Sequence, residues 1–305
     1  MPNAFYPKDK LMNYILLVLA TFAASAKSII CKKIGQDNTN TRQVLFFNSN
    51  IFAIASGIIL LLSLDKLEGF IKVSAFSFWF SLVFAAFLLF TQIMQIYSMS
   101  RGFASLTSLI FSCGFLIPIF YSAIFLGEAV SVYQIIGILI LILSLVIILK
   151  PSGDGRFSVI WLIFTVVSML SSGTTAIIQK VHQNSEFKEE LIPFIFYALL
   201  FASVFSFIFS FVFKGKDNAR RTDVYKNKTA LILILADGAI VGILNFVNLK
   251  LAGAIPAVIH FPVYNVASMM LTAVAGRVFF GERIGRRKLL GFGIGLIAIT
   301  IIGLL

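Results

Sequence analysis

Long apolar stretches recur along the chain, separated by brief polar interruptions. They run at about 11–33, 43–64, 76–100, 103–126 and 131–149, and again at about 157–181, 191–213, 229–250, 254–280 and 286–305. A bilayer core about 30 Å thick needs an apolar helix of about 20 residues. Only a backbone that satisfies its own N–H and C=O groups can cross it. The pattern predicts an all-α membrane protein with ten transmembrane helices.

Most interruptions are short. The longest, Lys214 to Lys228, is a charged run without apolar periodicity, which leaves no room for a domain outside the membrane. Lys150-Pro151-Ser152-Gly153-Asp154-Gly155 breaks any continuing helix. Residues 150–156 therefore read as a linker between a first unit, 11–149, and a second, 157–305. At the start of the chain, Lys8 and Lys10 precede an apolar run, and Ala24-Ser25-Ala26 imitates a signal-peptide cleavage site. That reading is rejected, because the apolar helix continues through Ile29-Ile30-Cys31 and has a counterpart later in the chain.

Composition agrees with a lipid solvent: 59% of residues are hydrophobic and 12% charged, whereas a soluble domain carries about 25% charged residues. The net charge of +12 would suggest nucleic acid in a soluble protein. In a membrane protein the same Lys and Arg residues gather in short cytoplasmic loops. No basic face interleaved with aromatics exists here to meet a nucleic acid, so that partner is set aside. Cys31 and Cys113 fall within or at the end of apolar segments and read as packed thiols. No metal site or cofactor is expected.

The two units resemble each other. Phe125-Leu126-Gly127-Glu128, followed nine residues later by Gly137, matches Phe279-Phe280-Gly281-Glu282 and Gly291 at the same spacing. Cys31-Lys32-Lys33-Ile34-Gly35-Gln36 aligns with Ile178-Gln179-Lys180-Val181-His182-Gln183, and Ala24-Ser25-Ala26 then falls opposite Ser171-Ser172-Gly173. With five spans per repeat, the second copy enters the membrane upside down. Inverted repeats recur in secondary transporters, with the substrate site near midplane where the halves meet.

A Gly-Glu pair closing the fourth and ninth spans before a Gly-bearing apolar helix resembles the EamA-like family of the drug/metabolite transporter superfamily. Asn245, Asn248, Lys250, Gly253-Ala254-Ile255-Pro256 and His260-Phe261-Pro262-Val263-Tyr264-Asn265 also resemble that superfamily's second half. The resemblance implies a multi-pass protein of the cell membrane that moves small metabolites, such as amino acids or sugars, without ATP.

Polar groups at depth are the candidate pathway residues, because they are costly in hydrocarbon. Asp237 lies near the centre of the eighth span and shares a helical face with Val241, Asn245 and Asn248. It reads either as a proton-coupling or amine-binding carboxylate, or as an aspartate bonded to a neighbouring helix. Lys27 reads as a carboxylate-binding cation or, more simply, as a side chain snorkelling to the interface; Lys180 reads as an interfacial anchor. In the ninth span His260 and Tyr264 stand one turn apart, with Asn265 close to midplane. His is a plausible proton carrier or a packing residue.

Polar residues at helical spacing form three stripes: Ser81, Gln92 and Gln95; Thr165, Ser168, Ser172, Thr175 and Gln179; and Ser105, Ser108 and Ser112. Such stripes line cavities or pack helices together. The fifth and tenth spans are almost wholly apolar and should face lipid or a second copy of the chain. A membrane-embedded lipid-processing enzyme is the alternative class, but the matching carboxylate cluster or nucleophile–base set is missing. A non-transporting envelope scaffold is another, and the polar stripes argue against it.

Orientation divides the readings. Seven Lys and Arg residues fall on the face of the termini and seventeen on the other, with Lys27 unassigned. The positive-inside rule then places the loops at 34–42, 214–228 and 281–288 in the cytoplasm and both termini outside. The family resemblance implies termini inside.

Overall fold

The computed structural model describes residues 7–37, 41–64, 67–149, 158–212, 228–282 and 285–304. The expected linker at 150–156 and nearly all of the basic loop 214–228 lie outside them. The described residues are helical, without strands. The helices are α1 (Pro7–Asp37), α2 (Thr41–Leu61), α3 (Leu67–Ile71), α4 (Ala75–Arg101), α5 (Ala104–Ser112), α6 (Leu116–Phe125), α7 (Val132–Leu149), α8 (Val159–Gln183), α9 (Leu191–Val212), α10 (Lys228–Ala254), α11 (Ala257–Phe280) and α12 (Arg286–Leu304). Among the described residues, eight helical stretches are long and apolar enough to cross a bilayer; Val132–Ser144 in α7 and Leu289–Ile302 in α12 are shorter apolar runs. Two features differ from the sequence reading. The short α3 follows α2, and a 3-10 turn at Cys113–Phe115 divides the fourth span into α5 and α6.

Helix ends follow local chemistry. Ser74 caps α4, its hydroxyl accepting from the Ser77 N–H at 3.1 Å. The Gly-Glu pairs form one device used twice. Gly127 and Gly281 take φ of 66° and 65°, a left-handed conformation that favours glycine. The next N–H, of Glu128 or Glu282, then returns to a carbonyl six residues back, Ser122 or Gly276. This is a helix stop with glycine in the left-handed conformation, and it turns each Glu back over the end of its helix.

The packing obeys an exchange of halves in which α1, α2, α4, α5/α6 and α7 correspond to α8, α9, α10, α11 and α12. α4 packs on α8 and α10 on α1; α10 packs on α2 and α4 on α9; α1 packs on α11 and α8 on α5 and α6. α2 meets its own counterpart α9, and α7 meets α12. The α2–α9 pair is antiparallel: the Ser203 hydroxyl donates to the Ser49 carbonyl at 2.8 Å, and Ser206 to that of Leu45 at 2.6 Å. The α7–α12 pair is antiparallel too, with Ser144 donating to the Gly291 carbonyl at 2.6 Å while Gly137 packs on Ala298 and Ile302. One face of each is thereby used within the chain, and Leu139, Leu143, Leu290 and Ile297 point outward.

Candidate functional site

A cavity of about 120 Å³ lies between the halves, lined from α1, α4, α5, α6, α8, α10 and α11. Of the polar residues expected along a pathway, Lys27, Gln95, Asn245, Asn248, Tyr264 and Asn265 line it. Lys27 does not snorkel to an interface. Its ammonium donates to Gln95 Oε1 at 3.1 Å, because the adjacent α4 presents a carboxamide at its own depth. Asn245 and Asn265 donate to the Val241 and Phe261 carbonyls one turn back, at 2.8 and 2.9 Å. Their amide oxygens remain as acceptors. Asn248 Oδ1 is buried without a protein partner.

Asp237, Gln92 and His260 stand behind this lining. Asp237 is fully buried and turned towards α4, where Gln92 Nε2 donates to its Oδ2 at 3.1 Å; its Oδ1 has no partner. Gln92 also reaches Cys31 Sγ at 3.7 Å. The expected face of α10 therefore divides: Val241, Asn245 and Asn248 meet the cavity, and Asp237 meets the next helix. His260 is fully buried and stacked on Phe261 with ring centroids 4.6 Å apart, and neither ring nitrogen has a hydrogen-bond partner.

The polar stripes divide in the same way. Ser172, Thr175, Gln179, Ser108 and Ser112 line the cavity. Thr165 bonds the Ser98 hydroxyl, and Ser168 donates to the Thr91 carbonyl at 3.2 Å, so these join α8 to α4. The side chain of Ser105 lies outside the described residues.

Two ion pairs that sequence reasoning missed join the halves. Lys32 in α1 meets Glu282 at the end of α11, Nζ to Oε1 at 2.5 Å, and both residues are about 5% exposed. The same Oε1 accepts the Ala104 N–H at 2.7 Å, at the start of α5, and Lys32 also reaches the Gly102 carbonyl at 3.5 Å. The exchanged arrangement repeats every element. Lys180 in α8 pairs with Glu128 at the end of α6, Glu128 accepts the Ala257 N–H that opens α11 at 2.8 Å, and Lys180 donates to the Ile255 carbonyl at 3.2 Å. Lys180 is therefore 3% exposed, not an interfacial anchor. Each carboxylate also meets the positive end of a helix dipole, which helps offset the cost of burying it. The sequence signal for both was the repeated Gly-Glu pair preceded by repeated lysines.

No curated protein matches the chain significantly. A solved structure described only as "Crystal structure of protein" is similar over 94% of this chain and 96% of that one, with a TM-score of 0.70 at 11% identity, a likeness of fold. The EamA-like transporter family matches twice, over residues 11–150 and 159–304, one match for each half of the exchange seen in the packing. The chain is a multi-pass membrane protein belonging to the EamA-like transporter family.

Proposed function

We propose that the protein is a secondary transporter that carries small metabolites across the cell membrane by alternating access, without ATP. The observation that carries this reading is the polar cavity between the halves together with an inter-repeat ion pair at the end of α1 and another at the end of α8. Two inverted five-helix repeats, 11–149 and 157–305 joined at 150–156, supply the two-state element. The antiparallel α2–α9 and α7–α12 pairs support inversion. Ten crossings are supported by the lengths of α7 and α12, 18 and 19 residues, about 27–29 Å at helical rise, near the thickness of a bilayer core.

In this cycle α1 and α11 part at the Lys32–Glu282 end to open one face, and α8 and α6 part at the Lys180–Glu128 end to open the other. The cavity residues meet the solute, and Asp237 with Gln92 is the proton-coupling element. The outward apolar faces of α7 and α12 meet lipid or a second copy of the chain. Uptake into proteoliposomes, screening amino acids, sugars and cationic drugs with and without a proton gradient, tests the proposal. Saturable flux absent from empty liposomes supports it; no flux of any solute in either condition sinks it.

A further inference from the structure

We infer that the cavity takes a small organic carboxylate, with Lys27 as its anchoring cation; this deepens the transport reading and rests on it. Among the described lining residues Lys27 carries the only charge, and no Asp or Glu joins it. Among the described residues its ammonium has one bond, to Gln95 at 3.1 Å, although an ammonium offers three donors. The carboxylate behind the lining, Asp237, is fully buried and bonded to Gln92, near enough to act on Lys27 through space but not in contact with it. Lys27 is thus a cation at membrane depth whose direct partner is a neutral carboxamide. A solute carboxylate entering the cavity can supply the contact that Asp237 does not.

The rest of the lining refines the class. The amide oxygens of Asn245 and Asn265, whose Nδ2 groups donate to the Val241 and Phe261 carbonyls, remain as acceptors in the lining, which suits a hydroxyl or amino hydrogen on the solute. Phe111, Phe115 and Phe261 give the wall an apolar portion. A cavity of 150 Å³ accommodates benzene, with six non-hydrogen atoms, so about 120 Å³ suits a solute of roughly five or six non-hydrogen atoms. These features describe a short 2-hydroxy or 2-amino acid, and they disfavour a neutral sugar or a cationic drug. A charged hydrogen bond in a low-dielectric site supplies at least about tenfold in affinity.

Matched pairs of probes test this in the purified full-length protein. L-lactate against L-lactamide, and L-alanine against L-alaninamide, differ in the carboxylate alone. Titration calorimetry should show the acid binding at least about tenfold tighter in one pair or both. Lys27→Met should erase that preference, and Lys27→Arg should keep it. Equal binding of acid and amide in both pairs, failure of both acids to bind, or a preference that survives Lys27→Met overturns the inference. The comparison in the unsubstituted protein decides the matter even where Lys27→Met does not fold. Counterflow of the same probes separates the two readings. An acid preference without flux leaves the carboxylate site standing and refutes transport; flux of solutes without an acid preference does the reverse.

Discussion

Lys32 and Glu282 lie 250 residues apart, yet their side chains meet at 2.5 Å inside the bundle. The contact joins the first half of the chain to the second, and the same carboxylate caps α5 through the Ala104 N–H. Removing one partner of a buried pair leaves the other unpaired, which costs about 3–5 kcal/mol, whereas removing both costs far less. Glu282→Gln should lower the unfolding temperature of the purified protein more than the double variant Lys32→Met/Glu282→Gln does. A double variant at least as unstable as the single one would show that the pair itself, and not its desolvation, dominates.

The same pair should govern opening at one end. Spin labels at Gln36→Cys on α1 and Val278→Cys on α11 report the separation of those helix ends. In Glu282→Gln their distance distribution should move to longer values, while Glu128→Gln leaves it unchanged or shorter. An identical distribution in all three proteins would remove Lys32–Glu282 from the opening mechanism.

How far these contacts were legible depends on whether one helix or two are needed to see them. The spans follow from uninterrupted apolar runs, and observed ends fall within a few residues of the expected ones, as for 191–213 and Leu191–Val212. The Gly-Glu stops were visible because a positive φ demands glycine locally. Lys27 was ambiguous because a helical wheel gives its face but not the Gln95 carboxamide waiting there. Aligning the repeats put Lys33 opposite Lys180, but it is Lys32 that repeats the contacts of Lys180, and Lys33 is exposed. One residue of drift moves a helical position by about 100°, enough to hide the second pair. The 3-10 turn at Cys113–Phe115 had no more than Gly114 and Pro118 to announce it.

Asp237 makes a separate prediction. Asparagine in its place can still accept from Gln92 and removes a buried charge, so Asp237→Asn should fold at least as well as the parent. In a proton-coupled cycle it should also reduce gradient-driven uptake to the rate seen without a gradient. Uptake by Asp237→Asn that still rises with an imposed pH gradient would assign the residue to packing.

Two glycines should respond oppositely to one added methyl. A Cβ on Gly35 would lie 2.6 Å from Ser100 Cβ and 2.7 Å from the Ile96 carbonyl oxygen, pressing α1 away from the backbone of α4. Gly35→Ala should destabilise by about 1–3 kcal/mol. Gly57 meets nothing within 4 Å, and Gly57→Ala should be neutral or stabilising by up to about 1 kcal/mol. Thermal unfolding of both variants checks the contrast; loss of stability in Gly57→Ala would contradict the packing of α2.

Orientation is the last prediction, and the buried pairs sharpen it. Lys32 is one of the seventeen basic residues and Lys180 one of the seven, but both are neutralised inside the bundle. Excluding them leaves six basic residues on the face of the termini and sixteen on the other, so the bias survives. Several carriers of that bias, Lys33, Arg101, Arg286 and Arg287, are exposed at helix ends, where basic residues act on topology. The ends of α1, α4 and α9 and the start of α12 should therefore be cytoplasmic, with both termini outside. A fluorescent protein fused after Leu305 that matures only in the cytoplasm should stay dark, and a phosphatase active only outside should be active at the same position. A bright fusion with an inactive phosphatase would mean that the inherited topology of the family overrides the charge distribution of this chain.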